Sequence, residues 1–325
     1  MTPLTLACAG VLLVALSLYG VLGGADFGGG VWDALASGPR RGAQRAAVTH
    51  ALGPVWETNH VWLIFVIVVL FTCFPAAFAA ISIGLYVPLT FALAGIVLRG
   101  AAFAFRSHVY GAVRTSALWG TVFGIASLLS PFAFGSAVGA LTARGYAWHS
   151  PLALVIGLFA VALCAQVAAV YLTLETDGAL RDDFRARAIA ATIVLAAMGA
   201  LALGVARATA PAAYASLTGL RALAGIAPAM GLGVLTLALV AGRRGRLARV
   251  TVSLEVVAVL GGWFASQGDA IVPGALRLVD AAAPEPTLAA FLWLTAAGSV
   301  LLVPSLVLLF RVFKTSPRRR ASPKA

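Results

Sequence analysis

Residues 61–98, VWLIFVIVVLFTCFPAAFAAISIGLYVPLTFALAGIVL, run for 38 positions without a charged side chain. About 20 apolar residues in a helix cross the hydrocarbon core of a bilayer, so this stretch is too long for one crossing. Pro75 lacks an N–H and obstructs the preceding turn. The expected result is two antiparallel membrane helices joined by a tight turn at Pro75.

Working outward, charge-poor stretches of span length recur at residues 4–24, 117–141, 151–174, 188–206, 222–241, 250–267 and 288–310. The first is expected to continue helically past Asp26. Composition agrees: 61% of the 325 residues are apolar and 10% are charged, against about 25% charged in soluble domains. No stretch alternates polar and apolar at ten-residue spacing, which argues against an outer-membrane barrel. The expected fold is an all-α polytopic membrane protein with about nine transmembrane helices. Residues 1–313 are expected to form a single integral membrane domain, and 314–325 a short basic cytoplasmic tail without fixed structure. The N-terminal MTPLTLACAG has no basic leader and no cleavage site, and is read as the start of the first span. Cys8, Cys73 and Cys164 sit in apolar runs, with neither a disulfide framework nor metal-type spacing. No metal site is expected.

The net charge of +12 could suggest a nucleic-acid partner, but its distribution excludes one. With the N-terminus outside, the inner segments 37–50, 99–116, 175–187 and 242–249 and the C-terminal tail hold 19 of the 23 Lys and Arg residues. The outer loops hold only Arg144, Arg207, Arg221 and Arg277. This bias matches the positive-inside rule for an N-out, C-in chain, with the basic loops beside an anionic leaflet.

Ionisable groups inside spans are costly and need a reason. Three clusters qualify. In GGADFGGG (23–30), followed by Trp32 and Asp33, the small residues permit close helix approach. Asp26 and Asp33 share one face, and Asp33 is expected at the cytoplasmic interface. In PVWETNHVW (54–62), Glu57 and His60 can touch at i, i+3, whereas Asn59 points elsewhere. Counted from the nearest arginines at about 1.5 Å per residue, Asp26 and Glu57 lie at matching depths of roughly 18–21 Å. Two acids so placed could form a proton-accepting station. His60 is either a hydrogen-bonded helix histidine or a ligand, and no second histidine stands at ligand spacing. In RGAAFAFR (99–106), Arg99 could pair with Asp26 or Glu57, and Arg106 is either a second charge partner or a snorkelling interface arginine. Glu175 and Glu255 are read as solvated near span ends, and Gln166 as a mid-span packing hydrogen bond. Nucleophile triads, phosphate loops and haem-attachment sequences are absent from the sequence.

GADFGGG, GPVWETNHVWL and LRGAAFAFRSH, in that order and spacing, resemble the N-terminal signature of cytochrome bd-type quinol oxidase subunit II. YLTLETDGALRDDFRARA, GWFASQGDAIVPGAL and WLTAAGSVLLVPSLVLLF extend the resemblance over nearly the whole chain. It implies two four-helix bundles plus one extra helix in the bacterial plasma membrane. It also implies a partner, subunit I, that holds haem b, haem d and the quinol site, while this chain has no catalytic residue of its own. Quinol and lipid are expected contacts. Small single-helix accessory subunits are candidate further partners, and some members hold a structural quinone. By position, Asp26, Trp56, Glu57 and Asn59 match residues linked in the family with proton supply from the cytoplasm to oxygen reduction, and His60 adjoins them. The chain departs from the family in having Glu57 where Asp is frequent, His60 where an amide or acid is common, and Ala104 in place of an acid. Two competing readings stand beside this one. One is a secondary transporter or ion channel with Asp26 and Glu57 as ion sites. The other is a scaffold that only stabilises its partner.

Overall fold

A computed structural model describes residues 2–108 and 113–315, with the side chains of 52–57, 106–108, 113–117, 303, 306–307 and 309–315 outside the description. The long helices are α1 (Pro3–Ala34), α2 (Arg41–Cys73), α4 (Tyr86–His108), α5 (Val113–Thr142), α6 (Pro151–Glu175), α7 (Gly178–Thr209), α9 (Leu220–Ala241), α10 (Gly245–Ser266) and α12 (Glu285–Thr315). Shorter elements fill the connections: α3 (Pro75–Gly84), α8 (Pro211–Thr218), β1 (Ala270–Val272), β2 (Leu276–Arg277) and α11 (Leu278–Ala281). Among the described residues, eight helices are long and apolar enough to cross a membrane, or nine if the bent pair α2–α3 is counted as one span.

Local chemistry explains where the helices begin. Thr2 caps α1 by accepting from the Thr5 N–H, Ser150 caps α6 through Ala153, and Pro occupies the first turn of both. Proline suits that position because its missing N–H has no helical partner there anyway. Pro75 stops α2 as expected, but the link is not a tight turn. The chain bends by 119° at Phe74 and runs as the ten-residue helix α3 before α4 starts at Tyr86. Phe74 and Leu85, the residues at either end of α3, are fully buried, so apolar packing holds both corners.

Helices α1, α2, α4 and α5 pack together as one group, and α6, α7, α9 and α10 as a second. The groups join where α1 and α5 lie against α6 and where α1 also touches α10. The remaining long helix, α12, rests on α2 and α1. This is the expected arrangement of two four-helix bundles and one extra helix. Helix α1 thus sits at the centre, and its second half, Gly23–Asp33, is buried throughout. Large apolar side chains such as Phe71, Ile83, Val234 and Trp293 remain exposed on the outer surface, where lipid would cover them. Between α10 and α12, the antiparallel hairpin pairs Ala270 with Arg277 and Val272 with Leu276. The Ala283 N–H donates to the Cys73 carbonyl at 2.9 Å and ties this segment to the end of α2.

Candidate functional site

The site is built on the glycine-rich half of α1. A Cβ on Gly28 would lie 1.9 Å from the Cys164 carbonyl oxygen of α6, and one on Gly30 would lie 2.0 Å from Ser127 Oγ of α5. Only glycine lets α1 approach both neighbours so closely, and the helix runs unbroken through the stretch because close packing outweighs glycine's weak helix propensity. The Trp32 indole N–H fastens the seam by donating to the Ala165 carbonyl at 2.8 Å.

That packing buries Asp26 completely, at 0% exposure, together with Arg99 of α4 at 2%. The pair is bidentate: Arg99 Nη1 donates to Asp26 Oδ2 at 2.6 Å and Nη2 to Oδ1 at 2.7 Å. Nη2 also donates to the Asp26 backbone carbonyl at 2.8 Å, and Nε to Ser127 Oγ at 2.8 Å. The Ser127 hydroxyl in turn donates to the Phe123 carbonyl at 2.7 Å. Phe123 and Phe27 flank the guanidinium at 4.8 and 5.4 Å, close enough for cation–π attraction in a dry site. A buried ion pair is tolerable only when geometry and hydrogen bonding are nearly complete, and these contacts meet that condition.

Asn59 of α2 joins the pair. Its Nδ2 donates to Asp26 Oδ2 at 3.3 Å, whereas its Oδ1 is buried without a hydrogen-bond partner. The family resemblance grouped Asn59 with Asp26, although its helix face was read as differing from that of Glu57 and His60; in the structure it is the residue of its motif seen touching Asp26. The other members of that motif stand differently. His60 is half-buried on α2. Trp56, Glu57 and Arg106 lie outside the residues whose side chains are described, so Arg99 is the charge partner the structure places on Asp26. Arg99 thereby belongs to this interior site and not to a basic loop.

Asp33, next to last in α1, is buried at 1% exposure, as a packing seam requires. Arg45 Nε donates to the Asp33 carbonyl at 3.2 Å and lies 3.9 Å from its carboxylate. One further expectation is corrected: Glu255 is not solvated; it is 5% exposed. Helix α10 begins at Gly245, which sets Glu255 about 15 Å into the helix at about 1.5 Å per residue. Gln166 Nε2 bridges Glu255 Oε2 at 3.0 Å and Thr192 Oγ1 at 3.2 Å, and joins α6, α7 and α10. Gln166 is thus the packing hydrogen bond its mid-span position suggested. No Lys or Arg pairs with Glu255 among the described residues.

Sequence reasoning also missed a network at the arginine-rich end. Arg40 in the α1–α2 loop forms a bidentate pair with Asp183 of α7 at 2.8 and 2.5 Å. Hydrogen bonding and attraction to that carboxylate hold the Arg40 guanidinium above its ordinary pKa. Gln44 donates to Asp183 at 3.0 Å and accepts from Arg187 at 2.7 Å. Among the described residues, no three His, Cys, Asp or Glu side chains come together as a metal-ligand set.

Comparison with known proteins follows the same outline. Residues 4–313 match the family of the cytochrome bd terminal oxidase subunit II. The chain is 29% identical over 209 residues to the cytochrome bd-I ubiquinol oxidase subunit 2 of Escherichia coli (strain K12), covering 59% of this chain and 54% of that protein. It is 29% identical over 198 residues to the cytochrome bd ubiquinol oxidase subunit 2 of Bacillus subtilis (strain 168), covering 56% of this chain and 57% of that one. The chain thus spans little more than half the length of these curated relatives. A chain in the structure of the bd oxidase from Geobacillus thermodenitrificans shares the fold, with a TM-score of 0.81 at 23% identity over 97% of this chain and 100% of that one. The chain therefore belongs to the cytochrome bd terminal oxidase subunit II family.

Proposed function

We propose that this chain is subunit II of a bd-type quinol oxidase, without a catalytic site of its own, which assembles with a haem-bearing subunit I and helps supply cytoplasmic protons for reducing oxygen to water. As a family member it is a multi-pass protein of the bacterial plasma membrane. The observation that carries the reading is the desolvated Asp26–Arg99–Asn59 constellation, built by the three motifs through which the chain resembles the family. The arginine-rich end faces the cytoplasm, as the positive-inside rule requires. From sequence position, Trp56 and Glu57 precede Asn59 along α2, and His60 adjoins it. The unpartnered Asn59 Oδ1 is an acceptor beside Asp26, where a proton-carrying chain of water would meet the protein. Arg99 fixes the carboxylate in place, and Arg106 lies two turns nearer the arginine-rich end of α4.

Haem b and haem d are assigned to subunit I, where they would supply electron transfer and oxygen reduction. The transporter or channel reading is not favoured, because the residues it would use sit in the family's own motifs. Affinity purification from native membranes tests the assignment. A reduced-minus-oxidised spectrum with haem b and d bands, together with quinol-driven oxygen uptake, is expected. A chain that crosslinks to no haem protein in intact membranes would overturn it.

A further inference from the structure

A second feature lies far from Asp26, where the end of α6, the start of α7 and the α9–α10 turn enclose a cavity of about 460 Å³. Arg181, Arg185, Arg243, Arg244 and Arg246 line it, against a single acid, Asp182. Three of these arginines are engaged. Arg181 pairs with Asp177 at 2.6 Å, Arg243 pairs with Asp182 at 3.2 Å, and Arg185 donates to the Val240 and Ala241 carbonyls. Arg244 and Arg246 are exposed and have neither an ion pair nor a side-chain hydrogen bond among the described residues. The positive-inside bias accounts for arginines in a loop, but not for a cavity with two cations left over.

Two more observations specify the occupant. Helix α10 starts in this turn with no side-chain cap and no acid in its first turn, so its unpaired N–H groups add partial positive charge at the rim. Leu247, which lines the cavity, begins an exposed apolar stripe that continues along α10 through Val250, Leu254 and Val257. A headgroup phosphate among the arginines would therefore leave its acyl chain lying on a lipid-facing ridge, which a free phosphate would not use. Basic pockets between membrane helices suit anionic headgroups for these reasons. We propose that this cavity binds the headgroup of an anionic phospholipid, with Arg244 and Arg246 as the principal phosphate ligands.

The test measures lipid retention and thermal protection of the purified complex with added phosphatidylglycerol, phosphatidylcholine or inorganic phosphate. Phosphatidylglycerol alone is expected to be retained and protective. Arg244→Gln/Arg246→Gln should weaken that binding about thirty-fold, from two lost surface cations. Arg207→Gln, at the opposite end of the bundle, should leave it unchanged. Both positions in the double variant are exposed, so its unfolding temperature in phosphatidylcholine should match wild type and separate lost binding from lost folding. Equal retention of phosphatidylglycerol by the double variant would overturn the proposal. Equal protection by inorganic phosphate would also overturn it, in favour of a free-anion site.

Discussion

Asp26 and Glu255 are both carboxylates buried inside helices, at 0% and 5% exposure, yet they are satisfied in different ways. Asp26 has a bidentate guanidinium, an amide and two aromatic walls. Glu255 has one amide N–H from Gln166, whose own Oε1 lacks a partner. The first site cannot lose either partner without stranding the other in a medium that solvates charge poorly. The second holds no cation to strand. The same residue chemistry therefore carries different obligations in the two bundles, and the difference is measurable.

The largest effect belongs to Arg99. Arg99→Gln should cost about 3–5 kcal/mol, the usual result of removing one partner from a buried ion pair, read as a fall in the thermal unfolding midpoint of the complex. Adding Asp26→Asn to that variant should recover most of the loss, since no charge is then left alone. An Arg99→Gln protein as stable as wild type would break the comparison. Next comes Gly28→Ala, whose Cβ meets a backbone carbonyl that cannot step aside. Overpacking of this kind costs about 1–3 kcal/mol, and the same unfolding measurement reports it. Gly233→Ala sharpens the contrast: its Cβ would lie 2.8 Å from Glu255 Oε1, the end of a flexible side chain, so a smaller loss than for Gly28→Ala is expected. The smallest effect should come from Glu255→Gln, less than about 1 kcal/mol, because an amide of the same shape leaves no buried ion behind. A loss as large as that of Arg99→Gln would show that Glu255 is needed as a charge and would erase the distinction.

Much of this was legible in the sequence. Charge-poor runs and the arginine bias placed the spans, since bilayer thickness and leaflet potential act on every residue alike. The Asp26–Arg99 pair was reachable because an acid and an arginine at membrane depth have few other partners. Asn59 was named through the family resemblance, but its contact with Asp26 was not foreseen, because its helix face differs from that of Glu57 and His60. Glu255 was misplaced because Arg246 and Arg249 look like loop residues. Long arginine side chains let α10 begin five residues before the apolar run does. The short helix α3 replaced an expected turn because Pro75 can start a helix as readily as it ends one.

Whether the first site carries protons or only holds helices together is decided by the Asp26→Asn/Arg99→Gln variant in the assembled oxidase. The measurement is quinol-driven oxygen uptake per haem d. With haem content near wild type, the account predicts turnover reduced to a small fraction of the normal rate. A fully assembled variant that turns over at the wild-type rate would contradict proton supply through Asp26 and leave the chain a scaffold.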